Sequence, residues 1–174
     1  MILYLTGPPG AGKSSAGKAL AEKTGRRFFD IDQIIEDRSG KSIADIFSQD
    51  GEEFFRGLER EILRECSAHG DAIIATGGGV VTDRSNREFM RKNGIIMLLM
   101  ASPETLAKRI GQDNTRPLLE GDLKKSIKKV LFERAAAYCY ADGILNTTAL
   151  TLNETVEYLR NLDNDKYFET RLLK

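Results

Sequence analysis

The sequence predicts an α/β protein: a three-layer αβα sandwich in which helices cover both faces of a five-stranded parallel sheet. Three observations predict this fold. Short apolar runs alternate with helical patterns, several runs end at glycines or carboxylates, and most runs are apolar throughout. A strand needs a continuous apolar run when helices exclude water from both of its faces. The length fits a single domain spanning residues 1–174.

The individual elements follow from local pattern. Strands are predicted over 2–6, 27–32, 72–76, 95–100 and, weakly, 143–146. Helices are predicted over 14–23, over two segments between 43 and 68 that break near Asp50, and over 86–92, 103–110, 126–141 and 153–161. Gly25 is expected to end the first helix, and Pro103 to open another. Residues 111–122 are polar and contain Gly and Pro, which predicts a mobile loop, and the chain is expected to trail off beyond Leu162.

Composition excludes several classes of function. Basic and acidic residues each total 26, and a net charge of zero argues against broad nucleic-acid binding. No apolar run reaches the roughly 18 residues of a membrane helix, and the first ten residues lack the basic start of a signal peptide. His69 is the only histidine, and Cys66 and Cys139 have no CxxC spacing, so both thiols are predicted to be reduced and mostly buried. A cytoplasmic protein is expected.

The segment from Gly7 to Ser14, GPPGAGKS, matches the phosphate-loop pattern GxxxxGK[ST] between a predicted strand and a predicted helix. In such a loop, backbone N–H groups surround phosphate oxygens, and the helix N-terminus adds partial positive charge. Lys13 would span the β- and γ-phosphates, and Ser14 would ligate Mg²⁺. A glycine-rich turn with an incidental Lys-Ser pair is the structural alternative. The N-K-x-D segment of a GTPase is missing, which favours a small-molecule kinase that uses ATP.

Acidic residues and glycines follow the second and third predicted strands. Strand periodicity predicts that Asp30 and Asp32 point to the same side, where one could support Mg²⁺ and the other could accept the proton of an attacking hydroxyl. A solvated turn with helix-capping acids is the alternative. Gly77 to Gly79 indicate a ligand close to the backbone, or merely a flexible turn. The carboxyl ends of parallel strands share one edge, so these segments are expected to meet there.

Three arginines stand out from the other basic residues. Arg116 lies in the Gly- and Pro-containing loop, from which it could reach a transferring phosphate. Arg56 and Arg134 lie on predicted helices beside apolar neighbours, where a guanidinium could bind a carboxylate of the acceptor through two hydrogen bonds. An arginine is most often a surface residue of modest energetic value, which remains the alternative for each.

Six motifs in order resemble the shikimate kinases over almost the whole chain. They are GPPGAGKS (7–14), FFDID (28–32), GKSIADIF with GEEFFRGLE (40–59), ATGGGVV (75–81), NTRPLL (114–119) and ERAAAY (133–138). The resemblance implies a phosphate-loop kinase fold with a substrate-binding subdomain at about 33–61 and a lid at about 111–123. It also implies transfer of the γ-phosphate of ATP to the 3-hydroxyl of shikimate, a step towards chorismate and the aromatic amino acids.

The resemblance also implies roles for individual residues. The catalytic residues would be Asp32, Lys13 and Arg116. The ATP site would comprise Gly10, Ala11, Gly12, Lys13, Ser14, Ser15, Arg109 and Arg116. The shikimate site would comprise Asp32, Arg56, Gly77, Gly78, Gly79, Arg134, Phe47 and Phe55, and Mg²⁺ would be held by Ser14 and Asp30. The family often carries a basic residue for adenine near the last strand, and residues 146–155 contain none.

Two other functions remain open from the sequence. The first is another small-molecule kinase of this architecture, acting on gluconate or a nucleoside monophosphate. Two arginines that could bind a carboxylate, together with Asp32, suit a hydroxylated cyclic acid better than gluconate or a nucleoside monophosphate. The second is a catalytically silent homologue, which would be expected to lose the base or the arginines. Shikimate and ATP are the expected ligands. The protein is also expected to be a monomer.

Overall fold

The computed structural model describes residues 1–111 and 120–163, and these form an α/β sandwich around one parallel sheet. The strands are β1 Ile2–Thr6, β2 Arg27–Asp30, β3 Ala72–Ala75, β4 Gly94–Met100 and β5 Gly143–Asn146. They lie in the order β2-β3-β1-β4-β5, and all four pairings are parallel. The register places Leu3 opposite both Ile73 and Ile95. The predicted fold class is therefore confirmed, and β1 lies at the centre.

Helices connect the strands and lie on both sides of the sheet. In the described part of the chain they are α1 Lys13–Thr24, α2 Ile31–Ser39, α3 Ile43–Gln49, α4 Glu52–Ser67, α5 Arg84–Asn93, α6 Pro103–Gly111, α7 Glu120–Tyr138 and α8 Leu152–Asp163. A short 3₁₀ turn, Val80–Thr82, follows β3. The predicted break near Asp50 separates α3 from α4 as expected. None of these helices is long and apolar enough to cross a membrane.

Local sequence explains several helix ends. Gly25 ends α1 with φ +71°. This left-handed conformation is unfavourable for residues that have a side chain but not for glycine. The Asp30 carboxylate accepts a hydrogen bond from the backbone N–H of Gln33 and caps α2. Asp83 caps α5 by accepting from the N–H of Ser85 at 2.7 Å. Each of these residues fixes the point at which a helix begins or ends.

Alternate residues of each strand belong to two separate cores. On one side, Leu3 and Leu5 of β1 pack with α1, α6 and α8; on the other, Ile2 and Tyr4 pack with α2, α4 and α5. Tyr4 is fully buried, its hydroxyl pairs with Ser67 at 2.8 Å, and burial raises its pKa to about 12. Both faces of the three central strands β1, β3 and β4 are therefore buried, which explains why their sequences are predominantly apolar.

The structure corrects four details of the predicted elements. The strand predicted over 27–32 ends at Asp30, and the next residues begin α2. The loop predicted over 111–122 is wrong at both ends, because Gly111 belongs to α6 and 120–122 open α7. Residues 112–119, like 164–174, lie outside the described residues. Cys66 is buried as predicted, whereas Cys139 lies in the turn that follows α7 and is exposed.

Candidate active site

A cavity of about 530 Å³ opens at the carboxyl edge of the sheet. It lies where β1, β2, β3 and β5 end, as expected for a parallel sheet with helices on both faces. Among the described residues it is lined by Pro9 to Ala16, Asp30, Asp32, Thr76, Gly78, Arg109, Ile110, Thr147, Leu150, Leu152 and Thr155. The structure therefore brings the phosphate loop, the two aspartates and the glycine triplet to one edge, as predicted.

The phosphate loop depends on backbone conformations that glycine adopts readily. Gly7, Gly10 and Gly12 have φ values of +141°, +77° and +92°. A Cβ atom on Gly7 would also overlap the carbonyl oxygen of Leu99 at the end of β4. The loop can therefore fold closely over the strand ends only with these glycines in place.

Helix α1 begins directly after the loop. Its first turn has neither a side-chain cap nor an acidic residue, which leaves the positive end of the helix dipole unneutralised by its own side chains. The Lys13 ammonium donates to the carbonyl oxygen of Pro8 at 3.1 Å and so lies against the loop. Ser14 and Ser15 are exposed at the cavity wall. This arrangement suits a chain of phosphates.

Arg109 and Thr147 form the wall beyond the phosphate loop. The Arg109 guanidinium donates to the Thr147 hydroxyl at 3.0 Å, to its carbonyl at 2.8 Å and to the Gly10 carbonyl at 3.4 Å. These three bonds fix the guanidinium plane between the loop and the end of β5. Leu150 and Leu152 line the same part of the cavity. Residues 146–155, which include no basic residue, therefore contribute apolar side chains to the cavity wall.

Asp30 and Asp32 both line the cavity, but the predicted reason is wrong. They do not alternate along one strand, because β2 ends at Asp30 and Asp32 lies in the first turn of α2. Asp30 caps that helix by accepting a hydrogen bond from the N–H of Gln33. A helix-capping acid at this turn is the alternative interpretation of the sequence. The turn from strand into helix, rather than strand pleating, brings both carboxylates to the cavity.

Arg56 on α4 is held by carboxylates and aromatic rings. It donates to Glu52 Oε1 at 3.1 and 3.3 Å and to Glu59 Oε2. Its guanidinium carbon lies 5.3 Å from the ring centre of Phe55 and 6.0 Å from that of Phe47. The two rings are themselves 4.7 Å apart; Phe55 is buried and Phe47 is 38% exposed. The rings confine the guanidinium from one side.

Glu59 is a buried acid at the centre of this charged group. Only 1% of its surface is exposed, and its Oε1 has no hydrogen-bond partner in the described part of the chain. Burial raises the pKa of Glu59 to about 7, and the neighbouring Asp32 adds to the increase. Arg56 and Arg134 act in the opposite direction. Sequence reasoning missed this residue.

Gly77 lies between two carboxylates. A Cβ atom on it would be 2.7 Å from Asp32 Oδ1 and 2.7 Å from Glu59 Oε1. Both oxygen atoms therefore face the same small space above the Gly77 backbone, and any side chain would displace them.

Gly78 and Gly79 give similar room to arginines. A Cβ on Gly78 would lie 2.7 Å from the Gly7 carbonyl oxygen and 2.9 Å from Arg134 Nη1. A Cβ on Gly79 would lie 2.7 Å from Arg56 Nη2. The phosphate loop and a group of charged side chains drawn from α2, α4 and α7 thus meet at the glycine triplet.

The comparison with known proteins decides the family. The profile of the shikimate kinase family matches residues 9–164. The chain belongs to the shikimate kinase family. A curated shikimate kinase from Caldanaerobacter subterraneus subsp. tengcongensis is 40% identical over 156 residues, which cover 89% of this chain and 91% of that protein. The resemblance predicted from six motifs is confirmed, and with it an ATP-dependent kinase.

Solved structures agree with this assignment. The shikimate kinase from Acinetobacter baumannii in complex with shikimate has a TM-score of 0.86 and 34% identity, covering 94% of this chain and 92% of that one. A gluconokinase from Sinorhizobium meliloti 1021 has a TM-score of 0.56 at 19% identity, with 96% and 95% coverage. The second likeness shows a shared fold alone.

In this member of the shikimate kinase family, the predicted site residues fall into three groups. Those that line the cavity are Gly10, Ala11, Gly12, Lys13, Ser14, Ser15, Asp30, Asp32, Gly78 and Arg109. Those grouped beside the cavity are Arg56, Gly77, Gly79, Arg134, Phe47 and Phe55. Arg116 lies outside the described residues. Glu59 had one signal in the sequence, because it shares the helical spacing of the buried Phe55 and Ile62 on α4.

Proposed function

We propose that the protein transfers the γ-phosphoryl group of ATP to the 3-hydroxyl of shikimate, giving shikimate 3-phosphate and ADP. One observation carries the assignment of the two substrate sites. The Gly7 carbonyl oxygen of the phosphate loop and the guanidinium of Arg134 both lie within 3 Å of the Gly78 Cβ position, so these two groups are close neighbours. A phosphate-binding region and a carboxylate-binding region therefore adjoin at Gly78, as direct transfer between two bound substrates requires.

On the donor side, the phosphate loop and Lys13 would bind the phosphates of ATP, and the fixed plane of Arg109 would face its base. Ser14 and Asp30 offer a hydroxyl and a carboxylate at the cavity wall, and such oxygen ligands suit Mg²⁺. When bound, Mg²⁺ would neutralise charge on the phosphates. Arg116 would add positive charge from a lid at about 111–123.

On the acceptor side, Arg56 and Arg134 would bind the carboxylate of shikimate, and Asp32 would accept the proton of its 3-hydroxyl. In the transfer the O–H bond of that hydroxyl breaks and its oxygen forms a bond to the γ-phosphorus. The bond from the γ-phosphorus to the bridging oxygen breaks, and ADP leaves. The substrate-binding subdomain would span about 33–61. The monomeric state and the cytoplasmic location stay predictions.

The test measures ADP release with ATP and Mg²⁺ across shikimate, quinate, gluconate and AMP. We expect ADP release that depends on shikimate and stops when the metal is chelated. Lys13→Met should remove the activity, whereas Lys18→Met, an exposed lysine on the same helix, should retain it and exclude a contaminating kinase. Turnover of gluconate or AMP in place of shikimate would overturn the acceptor assignment, and no turnover of any acceptor would indicate a silent homologue.

A further inference from the structure

We propose that Glu59 takes up a proton from solvent when the carboxylate of the acceptor binds at Arg56 and Arg134. The proposal rests on the proposed function, because it needs an anionic acceptor at Arg56 and Arg134.

Only one of the two carboxyl oxygens of Glu59 is hydrogen-bonded within the described residues. This carboxyl group is 1% exposed and uses only Oε2 towards Arg56, while Oε1 has no partner among the described residues. Glu52, the other acid on Arg56, is about two-thirds exposed and keeps its contact with water. A buried carboxylate oxygen without a hydrogen bond is costly, and a proton on the carboxyl group reduces that cost.

Charged groups of both signs surround Glu59. Its own helix contributes Arg56 and Glu52, α2 contributes Asp32, and α7 contributes Arg134. The negative Asp32 faces the same space above Gly77 as Glu59 Oε1 does. Two carboxylates at one place repel each other, so the ionised form of Glu59 depends on the two guanidinium groups.

The other elements packed on α4 do not change this balance. On α3, Asp45 interacts with Ser42 at the helix start, and Asp50 pairs with Lys41 at 2.7 Å. Strand β3 and the 3₁₀ turn Val80–Thr82 contain no titratable side chain. The raised pKa of about 7 described above is consistent with a carboxyl group that is close to half protonated at neutral pH before any acceptor arrives.

Acceptor binding then changes the charges on Glu59 in one direction. The incoming carboxylate shares the positive charge of Arg56 and Arg134, and the ring of the acceptor displaces water from the site. Both effects disfavour the Glu59 anion. A proton from solvent therefore binds to Glu59, and its repulsion with Asp32 falls.

Calorimetric titration of shikimate into the protein at pH 7, in buffers of different ionisation enthalpy, measures the protons taken up. We expect an uptake of about half a proton, since a group with a pKa near 7 can gain no more at that pH. The dissociation constant for shikimate should also rise about ten-fold from pH 6 to pH 8. Glu59→Gln mimics the protonated carboxyl, so its binding should show no uptake and no such pH dependence.

Two matched variants serve as controls. Glu52→Gln makes the same change on the exposed partner of Arg56, and His69→Gln removes the only histidine, the residue type that exchanges protons near neutral pH. Both should retain the uptake. The proposal would be overturned if the heat of shikimate binding to the unmodified protein did not depend on the buffer. Proton uptake that persists in Glu59→Gln would also overturn it.

The remaining outcomes are also decisive. If Glu59→Gln fails to fold, the pH dependence of the dissociation constant in the unmodified protein decides alone, and a flat profile contradicts the coupling. An absence of any shikimate binding would instead contradict the proposed function.

Discussion

The donor side and the acceptor side of the cavity are built in different ways. The phosphate loop is one contiguous segment whose backbone shape depends on Gly7, Gly10 and Gly12, and Lys13 lies against it. The acceptor side consists of side chains from three helices, held around a glycine triplet by pairs of opposite charges.

This difference has a physical consequence. Backbone N–H groups do not titrate, so the phosphate loop keeps its hydrogen-bond donors at any pH at which the protein is folded. The acceptor side contains a buried acid whose charge depends on its neighbours. Substrate discrimination and sensitivity to pH are therefore expected on the acceptor side.

The largest effect that would sharpen the contrast is expected at Asp32. Asp32→Asn removes the proposed base but leaves the loop intact, so kcat should fall by about 10²–10⁴ with little change in ATP binding. Steady-state kinetics and a nucleotide-binding titration would measure both quantities. Asp37→Asn, an exposed acid on the same helix, is the matched control and should keep the parental rate. A parental kcat in Asp32→Asn would contradict its role.

Glu59 should give the acceptor side a pH-dependent contribution to stability. Its pKa is raised in the folded protein, so the folded state holds a proton that the unfolded chain releases, and stability is lost as pH rises from about 4.5 through about 7. The loss amounts to about 3 kcal/mol, and Glu59→Gln should not show it. Urea denaturation between pH 5 and pH 8 measures the difference. An identical pH slope in both proteins would show that Glu59 does not titrate in this range.

Gly79→Ala should impair shikimate binding without affecting ATP. Its Cβ would displace the guanidinium of Arg56, and loss of one charged hydrogen bond predicts a KM for shikimate about 10–100-fold higher. The KM for ATP should stay unchanged. Gly57→Ala, on the helix of Arg56 and with no atom within 4 Å of its Cβ position, is the control. Equal changes in both KM values would break the separation between the two sides.

The smallest effect is expected on the donor side. Thr147→Val removes a hydroxyl that accepts from Arg109 but leaves the carbonyl that accepts from the same guanidinium. Loss of about 1 kcal/mol predicts a KM for ATP about five-fold higher, with the KM for shikimate unchanged. Initial-rate kinetics with each substrate varied would check this. A larger increase in the KM for shikimate than in the KM for ATP would contradict the assignment of Arg109 to the donor side.

The same difference explains what could be predicted from the sequence. Residues 7–14 carry the donor side in a single motif, and apolar runs carry the strands, so both are visible without a structure. Glu59 could not be assigned because an acid on a helix is normally solvated, and its burial depends on contacts with α2 and α7. The sequence predicts that Asp30 and Asp32 point to one side, and both line the cavity. Strand periodicity is the wrong reason, because the chain turns into α2 at Asp30, which caps that helix.

The close approach at Gly78 has a consequence for redesign of this enzyme. The carbonyl oxygen of Gly7 and the Arg134 guanidinium both lie within 3 Å of the Gly78 Cβ position, so there is no room for a side chain where the two halves of the cavity meet. Glycine is already the smallest residue, so no substitution at this position can enlarge the site. A bulkier acceptor would therefore have to gain its space from the helical wall of Phe47, Phe55 and Arg56, and selection for new acceptors should yield substitutions there and leave the triplet unchanged.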